Sequence, residues 1–202
     1  MSKERSFETI VYDHINKRGS YPREKGKYWA SDLSSIIGGY LRPEDFGKPK
    51  AIDILGCQRI ITGNMAEAKM VEILRSQGIR FNADVFDELK LGKEFSIAKD
   101  GQIKRYLKIT DEITLTVKPD FVFNGRPIVE TKYPFSMKEI LEGKIPKRYT
   151  YQLEVEHRAF NMPVQLGLFF TPFNLRIMDY KPSKVRWNNI KKKLIEFHKQ
   201  VK

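Results

Sequence analysis

Apolar and polar positions along the chain change period twice. Between about residues 81 and 133 they follow the two-residue period of half-buried strands, and on either side they recur at helical spacing. Segments 81–86, 94–98, 103–109, 113–123 and 127–133 are rich in β-branched and aromatic residues and predict strands. Asp100-Gly101 and Asn124-Gly125 supply turns between them. Upstream, the pattern predicts a short helix over 7–16, then a Gly/Pro/Lys-rich loop, then a helix capped by Ser31-Asp32 that stops at Gly38-Gly39. After a Pro-containing loop at 42–50 it predicts helices over 51–61 and 64–77, separated at Gly63 and ended by Gly78. Downstream come a helix over 147–160, strands over 164–171 and 175–180, and a last helix opening at Ser183 or Lys184. Helices before and after a run of strands predict an α/β fold, a central mixed sheet flanked by helices.

The 202 residues suit one domain with a substantial core. Residues 1–62 would form an N-terminal helical portion, 63–180 a core and 181–202 a basic C-terminal helix. No apolar run approaches the ~20 residues that cross a bilayer. The N-terminus, Met1-Ser2-Lys3-Glu4-Arg5, has no apolar signal-peptide core behind it. The expectation is an intracellular, cytoplasmic protein, in a host cell if the chain is viral.

Charge narrows the partners. Lys plus Arg number 37 against 25 Asp plus Glu, a net charge of +12. That excess favours polyanions, nucleic acid first. An anionic membrane surface would exploit the same charge, but the aromatics do not line a basic amphipathic helix of the kind that lies on membranes. One cysteine, Cys57, builds neither a disulfide nor a thiolate cluster, and His14, His157 and His198 are scattered. A metal here would be a hard cation held by oxygen, magnesium or manganese.

The chemistry concentrates in Lys118-Pro119-Asp120 and, ten residues past the aspartate, Glu130-Thr131-Lys132. Glu130 and Lys132 are two apart on one predicted strand and leave the same face. Asp120 reaches that face only if the connecting loop has an odd number of residues; a two-residue Asn124-Gly125 loop would send Glu130 the other way. A three-residue loop with a bulge, or a bulge within a strand, is therefore expected. The bland reading is a surface hairpin with three solvated charges. On the 64–77 helix, Glu67 shares one face with Met70, Val71 and Leu74, a carboxylate inside an apolar stripe. On the 147–160 helix, Gln152 and Glu156 lie near the middle of a face with Tyr149, Leu153 and Phe160. Polar groups there need partners, either an active site beneath the helix or another polar loop.

Pro-Asp, a gap and Glu-x-Lys resemble the signature of the PD-(D/E)xK nuclease superfamily, the restriction-endonuclease-like fold. Gly63-Asn-Met-Ala-Glu67 resembles the upstream element of its RecB-like branch, and Tyr149-x-x-Gln152-x-x-x-Glu156 is similar to that branch's Tyr-x-x-Gln-x-x-x-Tyr helix. The match covers about residues 63–160. It implies metal-dependent hydrolysis of DNA, most simply by an exonuclease or end- and flap-processing enzyme. By this resemblance Asp120 and Glu130 hold the metal, with the Thr131 carbonyl as a further oxygen ligand and Glu67 adding or orienting a ligand. Lys132 acts on water and phosphate, and Gln152 steadies Lys132 or the substrate. Tyr149 contacts DNA, with Arg148 and Lys118 beside it on the DNA-binding surface. The chain departs from the pattern twice. Glu156 replaces the usual tyrosine, and the four cysteines of the iron–sulfur, CRISPR-associated members are missing. A structure-specific endonuclease on the same fold, and a non-catalytic basic DNA-binding module, remain open alternatives, as does the oligomeric state.

Basic and aromatic residues elsewhere (Arg23, Lys25, Lys27, Tyr28 and Trp29; Lys191, Lys192, Lys193 and Lys199 around Trp187) fit either a DNA-binding rim or core tryptophans beside a solvated lysine face.

Overall fold

Tyr28, Ile103, Leu115 and Val117 are all fully buried and come from three different strands, which places the main core under one face of a four-stranded sheet. A computed structural model describes residues 23–48, 54–133, 142–171 and 174–202. In it β1 (Lys27–Trp29), β2 (Phe95–Ile97), β3 (Ile103–Lys108) and β4 (Thr114–Val117) form a sheet of order β1-β4-β3-β2. The β1–β4 pair is parallel and the other two are antiparallel. A second, three-stranded sheet of order β5-β6-β7 contains β5 (Ile128–Lys132), β6 (Val164–Thr171) and β7 (Asn174–Asp179), β5 and β6 running parallel. The expected single central sheet is thus two mixed sheets with helices against them. The segment expected as one strand over 113–123 explains the split. Its ladder ends at Val117, just before Pro119, which has no amide to donate. Pairing resumes only at one isolated bridge, Phe121 to Val129.

Four helices complete the described residues: α1 (Leu33–Ile37), α2 (Ile54–Ser76), α3 (Lys147–Phe160) and α4 (Lys184–Gln200). The helix expected over 7–16 lies outside the described residues. The two helices expected on either side of Gly63 are one, α2, because an interior glycine weakens a helix without ending it. Its end does come at Gly78, where a positive φ of 68° lets Ile79 N–H reach back to the Leu74 carbonyl. The strand expected over 81–86 is a 3-10 turn, Asn82–Val85, with φ of 52° at Asn82. Ile190, Leu194 and Phe197 are spaced one turn apart and bury one stripe of α4, whose first turn Ser183 caps by accepting from the Arg186 amide. α3 is buried on nearly every side and lies against α1, α4, β4 and β6. A helix so enclosed imposes a partner requirement on each of its polar residues.

Candidate active site

The Phe121–Val129 bridge sets the site's register. Each residue donates to the other's carbonyl, at 3.0 and 2.9 Å, so Asp120 stands opposite Glu130. The expected odd-numbered connection is present, but wider than a three-residue hairpin: residues 122–128 span it, with Asn124-Gly125 as its turn. Two outside elements fix the Asp120 segment. The buried Asn82 side chain donates to the Asp120 carbonyl at 2.7 Å and accepts from the Val122 amide at 2.8 Å, acting as a one-residue strand. Phe121 and Phe123 pack with Phe81 against Met70, Val71 and Leu74 of α2, which aligns that helix along the segment. Glu67 is one turn back from Met70, and its carboxylate accepts from Gln102 Nε2 at 3.1 Å.

Asp120 Oδ2 accepts from the Thr131 amide at 2.7 Å and from its hydroxyl. Glu130, only 2% exposed, is held by Lys132 Nζ, by Gln152 Nε2 at 2.6 Å and by the Asp120 amide at 3.4 Å. Gln152 also donates to Glu156 Oε1 at 2.9 Å, while the buried Glu156 Oε2 has no hydrogen-bond partner among the described residues. Glu67, Asp120, Thr131 and Lys132 therefore share one cavity of about 360 Å³ with Gly63 and Asn64, and Gln152 and Glu156 support Glu130 from α3.

The charges are crowded. Burial, then the charges of Asp120 and Glu130, push the Glu67 carboxyl up to about 7, against the pull of Lys118 and Lys132. Glu130 is raised by burial and by Asp120. Glu156 is raised well above the carboxylate range, by burial and then by Glu130. Burial works against charge on Lys132, but Glu130 and then Asp120 outweigh it, and the ammonium is held above its ordinary value. Its side chain keeps 27% of its exposure, so it is open to the cavity while paired.

An oxygen-only donor set under mutual repulsion suits a hard cation, which would relieve the excess of negative charge. No three His, Cys, Asp or Glu side chains among the described residues are gathered closely enough to share one ion. Asp120 uses Oδ2 on Thr131, and Glu130 uses Oε1 on Lys132 and Gln152.

Other expected residues fall elsewhere. Tyr149 is half-buried against the main core with the Arg148 guanidinium over its ring at 4.8 Å, and neither lines the cavity. Lys118 pairs with Asp100 at 2.5 Å. Of the basic rim, Arg23 binds Asp32, Lys25 the Val201 carbonyl and Lys27 Glu24. Lys191 lies over Trp187. Sequence reasoning missed Asn82 and Gln102. Asn82 sits in a segment whose apolar residues suggested a strand; its neighbour Gly101 and the Asp100 turn gave no signal for Gln102. No helix among the described residues is long and apolar enough to cross a membrane.

The arrangement of two mixed sheets with helices against them is similar to that of solved structures that include an exonuclease. One is the structure described as SSO0001, 12% identical, covering 98% of this chain and 88% of that one, with a TM-score of 0.59. Another is LHK-Exo, an alkaline exonuclease from Laribacter hongkongensis, in complex with dAMP; it is 12% identical, covers 88% of each chain and has a TM-score of 0.50. At that identity the likeness is one of fold. No family model matches the chain, and no curated protein matches it in sequence.

Proposed function

We propose that this protein is a divalent-metal-dependent nuclease that hydrolyses DNA phosphodiester bonds, acting at ends as an exonuclease or flap-processing enzyme. The carrying observation is that Glu67 and Asp120 line one cavity beside Lys132, with the buried Glu130 opposite Asp120 behind it; burial, then the charges of Asp120 and Glu130, raise Glu67 to about 7. Fold likeness to an alkaline exonuclease supports the choice of end processing. Glu67, Asp120, Glu130 and the Thr131 carbonyl are the oxygens that would hold magnesium or manganese. Such an ion, when bound, lowers the pKa of attacking water and neutralises charge on the phosphoryl oxygens.

The chain's own residues do the rest. Thr131 fixes the rotamer of Asp120, and Gln152 fixes that of Glu130. Lys132 stays cationic at any physiological pH, so it orients the attacking water and offsets charge that grows on the phosphate in the transition state. The +12 net charge would draw DNA to this otherwise acidic site, with binding that weakens steeply as salt rises.

The test is cleavage of end-labelled single- and double-stranded DNA with and without magnesium or manganese. Asp120→Asn and Glu130→Gln should each lower turnover by at least ~100-fold while circular dichroism shows an intact fold and DNA affinity is kept or improved, because each removes a charge that repels phosphate. Lys132→Ala should lose activity and keep metal binding. A folded Asp120→Asn protein cutting at the wild-type rate would overturn the assignment.

A further inference from the structure

We infer that Gly63 is the point where a nucleotide unit of the substrate lies against α2, and that it sets how bulky a substrate the cavity admits; the inference rests on the nuclease reading above. Gly63 is deep inside α2, nine residues past Ile54 and thirteen before Ser76. Glycine at such a position weakens a helix relative to alanine, so it calls for a reason. The usual reasons do not apply. Its φ is not positive, and the helix continues through it without interruption. A Cβ built there meets no described atom within 4 Å, so close packing against the described residues does not demand glycine. Gly167 in β6 differs: its Cβ would come into contact with Thr131 and Val129 at 3.4 Å. What a side chain at 63 would occupy is the cavity itself, which Gly63 lines.

The cavity's chemistry fits one nucleotide. Its volume, about 360 Å³, lies near the lower end of the ~300–1,000 Å³ typical of small-molecule sites, too little for a base-paired duplex. Both walls pass from polar to apolar. Along α2 the lining goes from Glu67 through Gly63 to Ile60, and along the other wall from Thr131 and Lys132 to Tyr133, with Phe169 of the adjacent strand. Lys132 aligns with Leu168 in the parallel ladder, so Tyr133 and Phe169 are the next residues along their two strands. A phosphate suits the lysine end and a flat base suits the aromatic end. The sugar between them is then the part nearest Gly63, where a bare helix backbone leaves room. A strand threaded this way must present an unpaired nucleotide, which makes single strands and frayed ends the favoured substrates.

Gly63→Ala and Gly63→Leu test this against wild type in three measurements: thermal unfolding, anisotropy binding of a labelled short single-stranded oligodeoxynucleotide in chelator, and magnesium-dependent cleavage of the same oligonucleotide. Alanine should raise Tm by about 2–4 °C through helix propensity. It should also weaken oligonucleotide binding and raise KM by about 10-fold, with leucine approaching ~200-fold and kcat changing least. Stability and affinity moving in opposite directions marks a residue kept for its ligand. A higher Tm with unchanged binding and KM would overturn the inference, as would a lower Tm for both variants, which would make Gly63 structural. Absence of cleavage by wild type would overturn the nuclease reading instead, and the binding comparison would still decide the role of Gly63.

Discussion

Glu154 and Glu156 are two residues apart on α3, both fully buried, and their surroundings could hardly differ more. Behind the helix, Glu154 accepts from Arg158 Nε at 2.9 Å, the Tyr180 hydroxyl, the Ser183 amide at 2.8 Å and Arg186 at 3.5 Å. That corner pins α3 to the start of α4 with every oxygen supplied. On the front, Glu156 faces the Glu130 carboxylate and shares the Gln152 amide with it, and its second oxygen meets no donor among the described residues. Burial is the same; the accounting of donors is not. A buried acid with a full set of partners holds elements together, whereas one left short beside other acids is tolerated for a chemical purpose.

Substitutions at the two positions should therefore affect stability very differently. Glu154→Ala removes the acceptor of the Tyr180 hydroxyl proton and the carboxylate partner of two arginines. The arginines keep about a third of their exposure and can rehydrate, so the cost should be near the low end of a broken buried pair, about 3 kcal/mol. That is a Tm loss of roughly 6–12 °C by thermal melting. Glu156→Gln keeps the shape, removes a carboxyl that burial and Glu130 disfavour in its charged form, and adds a donor. It should leave Tm unchanged or raise it by about 2–4 °C at pH 8. A fall as large as that of Glu154→Ala would erase the contrast.

Gln152→Ala sharpens the same comparison on the catalytic side. It leaves Glu130 without one of its fixed donors, and cleavage should drop by about 10–100-fold while Tm changes little. Glu67 carries the pH dependence. Its folded-state pKa of about 7 is above that of an unfolded glutamate, so the folded protein binds the proton more tightly. Its stability contribution is complete below about pH 4.5, falls as pH rises toward 7 and is flat above. Glu67→Gln should remove that part of the pH dependence of Tm, and parallel wild-type and variant profiles between pH 5 and 8 would contradict it.

Much of this was legible in the chain. The Glu67–Met70–Val71–Leu74 stripe does face the Asp120 segment, and the odd-numbered connection between Asp120 and Glu130 does put them opposite each other. α3, β6 and α4 follow the expected bounds closely because each has a clear period and a marked end: Pro146, the left-handed Asn161, and Ser183. Three features were not legible. Gly63 looked like a boundary because glycine's weakening of a helix and its termination of one give the same local signal. Residues 81–86 have strand composition, yet Asn82 satisfies the neighbouring backbone with its side chain, a tertiary choice no local pattern records. The division into two sheets depends on how far pairing continues past Pro119, which is decided by the partner strand.

The Phe121–Val129 bridge has a consequence for how this protein can be watched. Among the described residues two backbone hydrogen bonds join one sheet to the other in register, and they stand next to Asp120 and Glu130. The amide protons of Phe121 and Val129 are thus a built-in gauge of whether the backbone holding the two carboxylates opposite each other stays closed. Their hydrogen-exchange protection, followed by NMR, reports how readily the junction beside the site opens in a protein that has been given nothing to cut.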